Sequence, residues 1–119
     1  MCPLFLPSTA MPLTGIFLGE CSADSGAVIP LDTLRHCCNP GHARAMCARA
    51  AAIETDAVQL LVTSDHEGVI EIAWAMERNH HPVAVGKLPT SRNPESANPT
   101  LNAQARAFAA QYRRQKGRG

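Results

Sequence analysis

The chain has 119 residues and a formal net charge of +1, from eleven basic and ten acidic side chains. This length is that of a single domain. The balanced charge excludes the strongly basic surface that is typical of nucleic-acid-binding domains. No run of residues is long and apolar enough to cross a bilayer. We therefore expect one small domain without a membrane segment.

The first twelve residues are apolar and are interrupted by prolines at positions 3, 7 and 12. This pattern predicts an irregular N-terminal arm, and the absence of basic residues argues against an export signal. We therefore place the protein in the cytoplasm. Met11 is as good a candidate as Met1 for the first residue. Cys2 lies in this arm, so we leave it out of the predicted site.

Four of the five cysteines fall between positions 21 and 47. A reducing compartment disfavours disulfides, so this density indicates a metal or redox role. The turn sequence Asn39-Pro40-Gly41 should bring Cys47 back towards the two adjacent cysteines. We predict that one thiolate-rich metal centre is formed by Cys21, Cys37, Cys38 and Cys47.

The ligand set and the metal stay open from the sequence. Zinc takes four nitrogen or sulfur ligands in a tetrahedron, whereas iron–sulfur clusters take thiolates. Two adjacent cysteines diverge on an extended chain, so three thiolates and one histidine are as plausible as four thiolates. His80, at the end of a predicted strand, is the first histidine candidate. The alternates are His36, His42 and His81.

Two other interpretations of the cysteines compete with a metal. In a thiol redox protein, Cys37 or Cys38 would have a depressed pKa near a helix N-terminus and Arg44, and would cycle with Cys47. In the simplest case the thiols are buried packing groups. No nucleotide-binding, metalloprotease or hydrolase motif is present. The sequence therefore favours a protein that is not an enzyme.

The region from 57 to 88 has the clearest strand pattern, because apolar residues alternate from Ile70 to Met76. We predict an antiparallel three-stranded meander over 57–63, 69–77 and 83–88, with a polar turn at 64–68. An alanine-rich helix over 43–54 is expected to cover one face of the sheet. The fold class is therefore α+β.

The C-terminal part divides into a linker and a helix. Residues 89–100 are rich in proline, serine and asparagine, and 101–114 has helical apolar periodicity with Thr100 as its cap. The predicted organisation is an arm (1–12), a cysteine-rich domain (13–88), a linker (89–100) and a C-terminal helix with a basic tail (101–119). We expect an accessory subunit with a protein partner, nucleic acid being the weaker alternative. The candidate partner-binding residues are Arg106, Arg113, Arg114, Lys116 and Arg118.

Overall fold

The computed structural model describes residues 1–11, 13–24, 26–90 and 98–117. It confirms the predicted α+β class, with a three-stranded antiparallel sheet and a C-terminal helix. None of the described helices is long and apolar enough to span a membrane. The elements in chain order are β1 (Phe5–Ala10), β2 (Phe17–Cys21), α1 (Leu31–Thr33) followed by a π-helix (Leu34–Cys38), α2 (Ala48–Ala51), β3 (Ala57–His66), β4 (Val69–Arg78), β5 (His81–Thr90) and α3 (Pro99–Gly117).

The strands of the sheet are longer than the predicted segments 57–63, 69–77 and 83–88. Each hairpin closes through only two residues, Glu67-Gly68 and Asn79-His80, and all four have positive φ angles. Two left-handed residues in succession match the right-handed twist of the paired strands, as in type I′ turns. The polar run at 64–66, predicted as turn, is therefore part of β3.

The C-terminal helix covers the sheet. Its apolar side meets the inward side chains of β3, β4 and β5, and these residues form the main core: Val58, Ile70, Ile72, Leu88, Leu101, Ala105 and Ala109. The prediction that a helix over 43–54 provides this cover is wrong. Within 43–54, the α-helix is confined to Ala48–Ala51. It does not begin earlier because Cys47 is extended, with φ −127° and ψ 119°. Alanine's helix propensity is a weak preference that tertiary contacts override.

Helix α3 begins at Pro99, two residues before its predicted start. The Asn98 side chain accepts a hydrogen bond from the Leu101 amide at 3.1 Å, so Asn98 caps the helix in place of the predicted Thr100. The predicted linker 89–100 overlaps the end of β5 and the first turn of α3, and residues 91–97 lie outside the described part of the chain. The division into domain and linker stays a prediction.

The N-terminal arm is not irregular between Phe5 and Ala10. This segment pairs with β2 as an antiparallel ribbon, and its register shifts between Pro7 and Thr9. Proline is compatible with a strand at an edge or an irregularity, which explains why the proline-rich sequence misled the prediction. The ring of Phe17 stacks on Phe108 of α3 with centroids 5.5 Å apart, and this contact attaches the ribbon to the helix.

A candidate metal centre lined by five cysteines

All five cysteines of the chain line one cavity of about 60 Å³. This space exceeds the roughly 10–15 Å³ that one water molecule requires, so it has room for a single ion. The other described residues of the lining are mostly apolar, and Arg49 is the only charged one among them. The cysteines that line the cavity are Cys2, Cys21, Cys37, Cys38 and Cys47.

The π-helix presents two adjacent cysteines to this cavity. The amide of Asn39 donates to the Leu34 carbonyl at 3.0 Å, a five-residue hydrogen bond that widens the turn. Cys37 and Cys38 both lie on this turn and both line the cavity. The expectation that adjacent cysteines diverge assumed an extended chain, and the helical backbone removes that restriction.

Asn39 fixes the π-helix against strand β2. Its side-chain amide nitrogen, Nδ2, donates to the carbonyls of Phe17 at 3.1 Å and Leu34 at 2.9 Å. Its side-chain oxygen accepts from the Phe17 amide at 2.7 Å. One side chain therefore holds the strand that ends at Cys21 beside the turn that carries Cys37 and Cys38.

Cys2 is the cavity residue that sequence reasoning missed. Its amide donates to the Cys38 carbonyl at 2.8 Å. Its carbonyl accepts from the buried amide of Gln104 at 2.9 Å, and the same amide also donates to the Phe5 carbonyl at 2.9 Å. The only sequence signal for Cys2 was its residue type, because its position depends on a helix about a hundred residues away.

The turn after the π-helix returns the chain to the cavity, as the sequence suggested. Gly41 has a φ of +73°, and an added Cβ would lie 2.9 Å from the Ala57 side chain and 3.0 Å from the Met1 backbone. The Cys47 amide then donates to the Ala43 carbonyl at 2.8 Å. Glycine therefore permits the close approach that brings Cys47 to the same cavity as Cys37.

Burial controls the protonation of the cavity thiols. It raises the pKa of Cys2 and of Cys37, and it raises the pKa of Cys38 to about 12, with smaller contributions from neighbouring cysteines. These thiols are therefore protonated at neutral pH when no metal is bound. The redox interpretation expects a depressed pKa at Cys37 or Cys38, whereas burial raises the pKa of both thiols, and this interpretation stays a prediction.

The two arginines near the site have different roles. Arg44, expected to activate a cysteine, lies 3.9 Å from the Asp56 carboxylate. Interaction with the Cys21 thiol and the ion pair with Asp24 at 2.6 Å both raise the pKa of Arg49. Arg49 therefore provides a positive charge at the edge of the cavity.

None of the predicted histidine ligands lines the cavity in the described ranges. His80 stacks on His42 with ring centroids 4.0 Å apart, and His81 is exposed on β5. His36 is exposed, and its Nδ1 lies 3.0 Å from the Asp32 carbonyl oxygen. Within 1–11, 13–24, 26–90 and 98–117, no three His, Cys, Asp or Glu side chains are placed to hold one metal ion.

No protein-family model, curated protein or solved structure matches this chain. Its function therefore has to be argued from its own residues and their geometry.

The basic C-terminal residues are partly engaged within the domain. Lys116 pairs with Asp65 at 2.5 Å and lowers the pKa of that carboxyl, and Arg113 donates to the Thr90 carbonyl at 3.1 Å. The charge of Lys116 is therefore paired within the domain. Arg106 and Arg114 border shallow surface grooves, and Arg118 lies outside the described residues. A partner-binding role for the five residues stays a prediction.

Proposed function

We propose that this is a small metal-binding protein whose cysteines hold one thiolate-ligated centre, an iron–sulfur cluster. The observation that carries the proposal is the convergence of all five cysteines on one cavity, from four separate segments of the chain. Chance burial of hydrophobic cysteines does not require a common location. Four thiolates are enough for a cluster, so one cysteine is in excess.

The arrangement of the donors favours a cluster over a single zinc ion. A single zinc ion takes four donors within about 2.3 Å of one point, whereas the cysteines line the cavity from four separate segments of the chain. A cluster contains several metal atoms and accepts thiolates around its perimeter. The absence of histidine from the described lining also suits a cluster, although zinc with four thiolates remains the alternative outcome of the test.

The charge of the cavity is consistent with a metal-dependent thiolate site. Metal binding removes the thiol protons, so a buried thiol with a raised pKa becomes a thiolate only when the metal supplies positive charge. Arg49 at the cavity edge adds favourable charge for a centre with net negative charge. The apolar lining limits water access, which protects the ligands and tunes the centre.

The proposed role is structural or electron-carrying, in an accessory subunit of a reducing compartment such as the cytoplasm. A bound cluster would supply one-electron chemistry, and the chain would position its thiolate ligands and exclude water. No acid–base or nucleophilic constellation lies at the cavity among the described residues. The proposal therefore assigns no substrate and no reaction to this site.

The test is a metal and sulfide analysis of full-length protein purified without oxygen. Stoichiometric iron and acid-labile sulfide with a brown absorbance support the cluster, whereas stoichiometric zinc without colour replaces it with a zinc site. Cys21→Ser and Cys47→Ser should each lower the metal content. His66→Asn, an exposed hairpin change, is the matched control that should not.

Folded wild-type protein without either metal, together with silent Cys21→Ser and Cys47→Ser variants, would overturn the proposal. The cysteines would then be packing residues that happen to share one cavity.

A further inference from the structure

Strand β5 is an edge of the sheet, and its outer side is open. The strand order is β3-β4-β5, and among the described residues no backbone group pairs with the free edge of β5. Val83 and Val85 on this strand are 58% and 70% exposed. An exposed edge strand with apolar side chains is a template for pairing with another strand. The backbone groups that point outwards decide which strand fits.

The direction of these groups follows from strand β4. Residues of an antiparallel strand point their N–H and C=O groups alternately to one neighbouring strand and to the other. The Glu77 carbonyl accepts a hydrogen bond from the Asp56 amide at 2.9 Å, on the side of β3. The Glu71 carbonyl accepts one from the Thr63 hydroxyl of β3 at 3.3 Å. The odd-numbered residues of β4 therefore point towards β3, and the even-numbered ones point towards β5.

Val85 and Lys87 consequently point their backbone groups away from β4. Both lie opposite odd-numbered residues of β4, whose own groups are directed to β3. Pro89 occupies the next such position, where the missing N–H of proline leaves no ladder bond unmade. Val85 and Lys87 therefore offer two N–H donors and two carbonyl acceptors at the free edge, on either side of Gly86.

We propose that two copies of this chain pair antiparallel through β5, about a two-fold axis at Gly86, and form one six-stranded sheet. In this register, Val85 of each copy lies opposite Lys87 of the other copy. All four outward N–H groups then meet outward carbonyls. A strand with this spacing of free groups is complementary to itself, which is the requirement of a two-fold interface.

The side chains are compatible with this register. Gly86 lies opposite Gly86 of the other copy as a non-hydrogen-bonded pair, with Cα atoms about 4.5 Å apart. A Cβ at this position would lie 2.5 Å from the Trp74 ring, so glycine leaves room for that ring. Val85 packs on the alkyl stem of Lys87 from the other copy. Glu71 lies 3.7 Å from Lys87 and supplies its counter-charge within each copy.

The pairing closes at two copies, because it uses the same edge on both of them. Pro82 and Pro89 bound the open stretch of β5, and edge prolines limit pairing to the residues between them. The opposite edge of the sheet is partly occupied: the Val58 amide donates to the Met1 carbonyl at 2.6 Å, and the Met1 amine donates to the Val58 carbonyl at 2.9 Å. The interface does not involve the cysteine cavity.

Sedimentation velocity of the full-length protein over a range of concentrations tests the proposal, and a reversible monomer–dimer equilibrium is expected. Val85→Pro removes one outward N–H from each copy but no bond to β4, so it should lower the association constant about tenfold or more. Val85→Thr keeps the N–H and the branched shape, and should change the constant much less. Leu61→Ser, at a similarly exposed position of β3, is the matched control and should leave it unchanged.

A cross-link tests the register without a proline. In the double variant with Val85→Cys and Lys87→Cys, the substituted positions of different copies form a hydrogen-bonded pair with Cα atoms about 5.5 Å apart, within disulfide range. Mild oxidation should give a covalent dimer joined between 85 and 87, which peptide mass mapping identifies. Val85→Cys alone should give far less, because its two copies are diagonal neighbours about 7–8 Å apart.

A chain that stays monomeric at every concentration would overturn the proposal. A dimer that Val85→Pro leaves intact, or that Leu61→Ser abolishes, would also overturn it, because the interface would then lie on another surface.

Discussion

The half of the molecule built from the sheet and α3 differs from the cysteine-lined half in what holds it together. The sheet has three strands of ten residues each, and a continuous apolar core joins it to α3. Before residue 57, the described elements have three to six residues each. These short elements are held by a separate apolar cluster that includes Phe5, Phe17 and Leu34, and by the hydrogen bonds of the Asn39 and Gln104 side chains. The comparison indicates that the proposed metal centre would stabilise the half built from the shorter elements.

The largest expected difference between the halves follows metal removal. A ligand that binds only the folded state, at about 100 times its dissociation constant, adds about 2.7 kcal/mol of stability. Chelation under reducing conditions should therefore accelerate amide exchange about 100-fold or more in residues 13–54, and much less in β4. Hydrogen exchange measured by mass spectrometry checks this. Equal acceleration in both regions would contradict the proposed division.

Truncation in the sheet core should instead affect the whole molecule. Ile72 is fully buried between the sheet and α3. Ile72→Ala should lower the free energy of unfolding by about 2–5 kcal/mol, and the matched change Ile72→Val by about 0.5–1.5 kcal/mol. Urea denaturation measures both. A loss below 1 kcal/mol for the alanine variant would mean that this core does not dominate stability.

Removal of the Asn39 side chain should act on the cysteine half. Asn39→Ala deletes three hydrogen bonds and leaves partly buried Phe17 backbone groups without partners. We expect a loss of about 1–3 kcal/mol and faster alkylation of Cys38 in metal-free protein. Asn102→Ala on α3 is a control that should not change alkylation. Unchanged alkylation in Asn39→Ala would show that this side chain does not hold the cavity closed.

Alkaline pH should destabilise the metal-free protein through the buried thiols. Burial raises the pKa of Cys38 to about 12 from an ordinary 9.0. Between these values the unfolded chain loses the proton while the folded chain keeps it, so stability falls as pH rises from 9 towards 12. Cys38→Ala should flatten this decline in urea midpoints. An identical decline in the variant would exclude Cys38 as its source.

The smallest expected effect is at the exposed Lys116–Asp65 ion pair. Lys116→Gln should lower the thermal unfolding midpoint only slightly, because surface ion pairs are screened by solvent. Thermal unfolding at low and high salt measures this shift, which should shrink with salt. A fall in the midpoint as large as that of Ile72→Val would give the basic end of α3 a structural importance that the geometry does not indicate.

The sheet could be predicted because its signal is local. Large apolar side chains alternate with smaller or charged ones from Ile70 to Met76, which is the two-residue period of a half-buried strand. The hairpin turns were harder to locate, since Asn79-His80 lacks the glycine that usually marks such turns. The alanine-rich segment was predicted wrongly because its helix propensity competes with the extended Cys47 and the contacts around it.

The candidate site could be predicted only in part. The number of cysteines and the Asn39-Pro40-Gly41 turn indicated that four of them lie together. Cys2 was missed because Gln104 and the Cys38 carbonyl position it, and both contacts are tertiary.

The most direct test of the cysteine centre is X-ray absorption at the metal edge of anaerobically purified, full-length protein. The account predicts a first shell of sulfur only, at about 2.3 Å, with a second shell of metal atoms if the centre is a cluster. Sulfur alone with no metal neighbour would assign a zinc site to the same cysteines. A first shell of nitrogen and oxygen, or the absence of metal in folded protein, would contradict a thiolate centre.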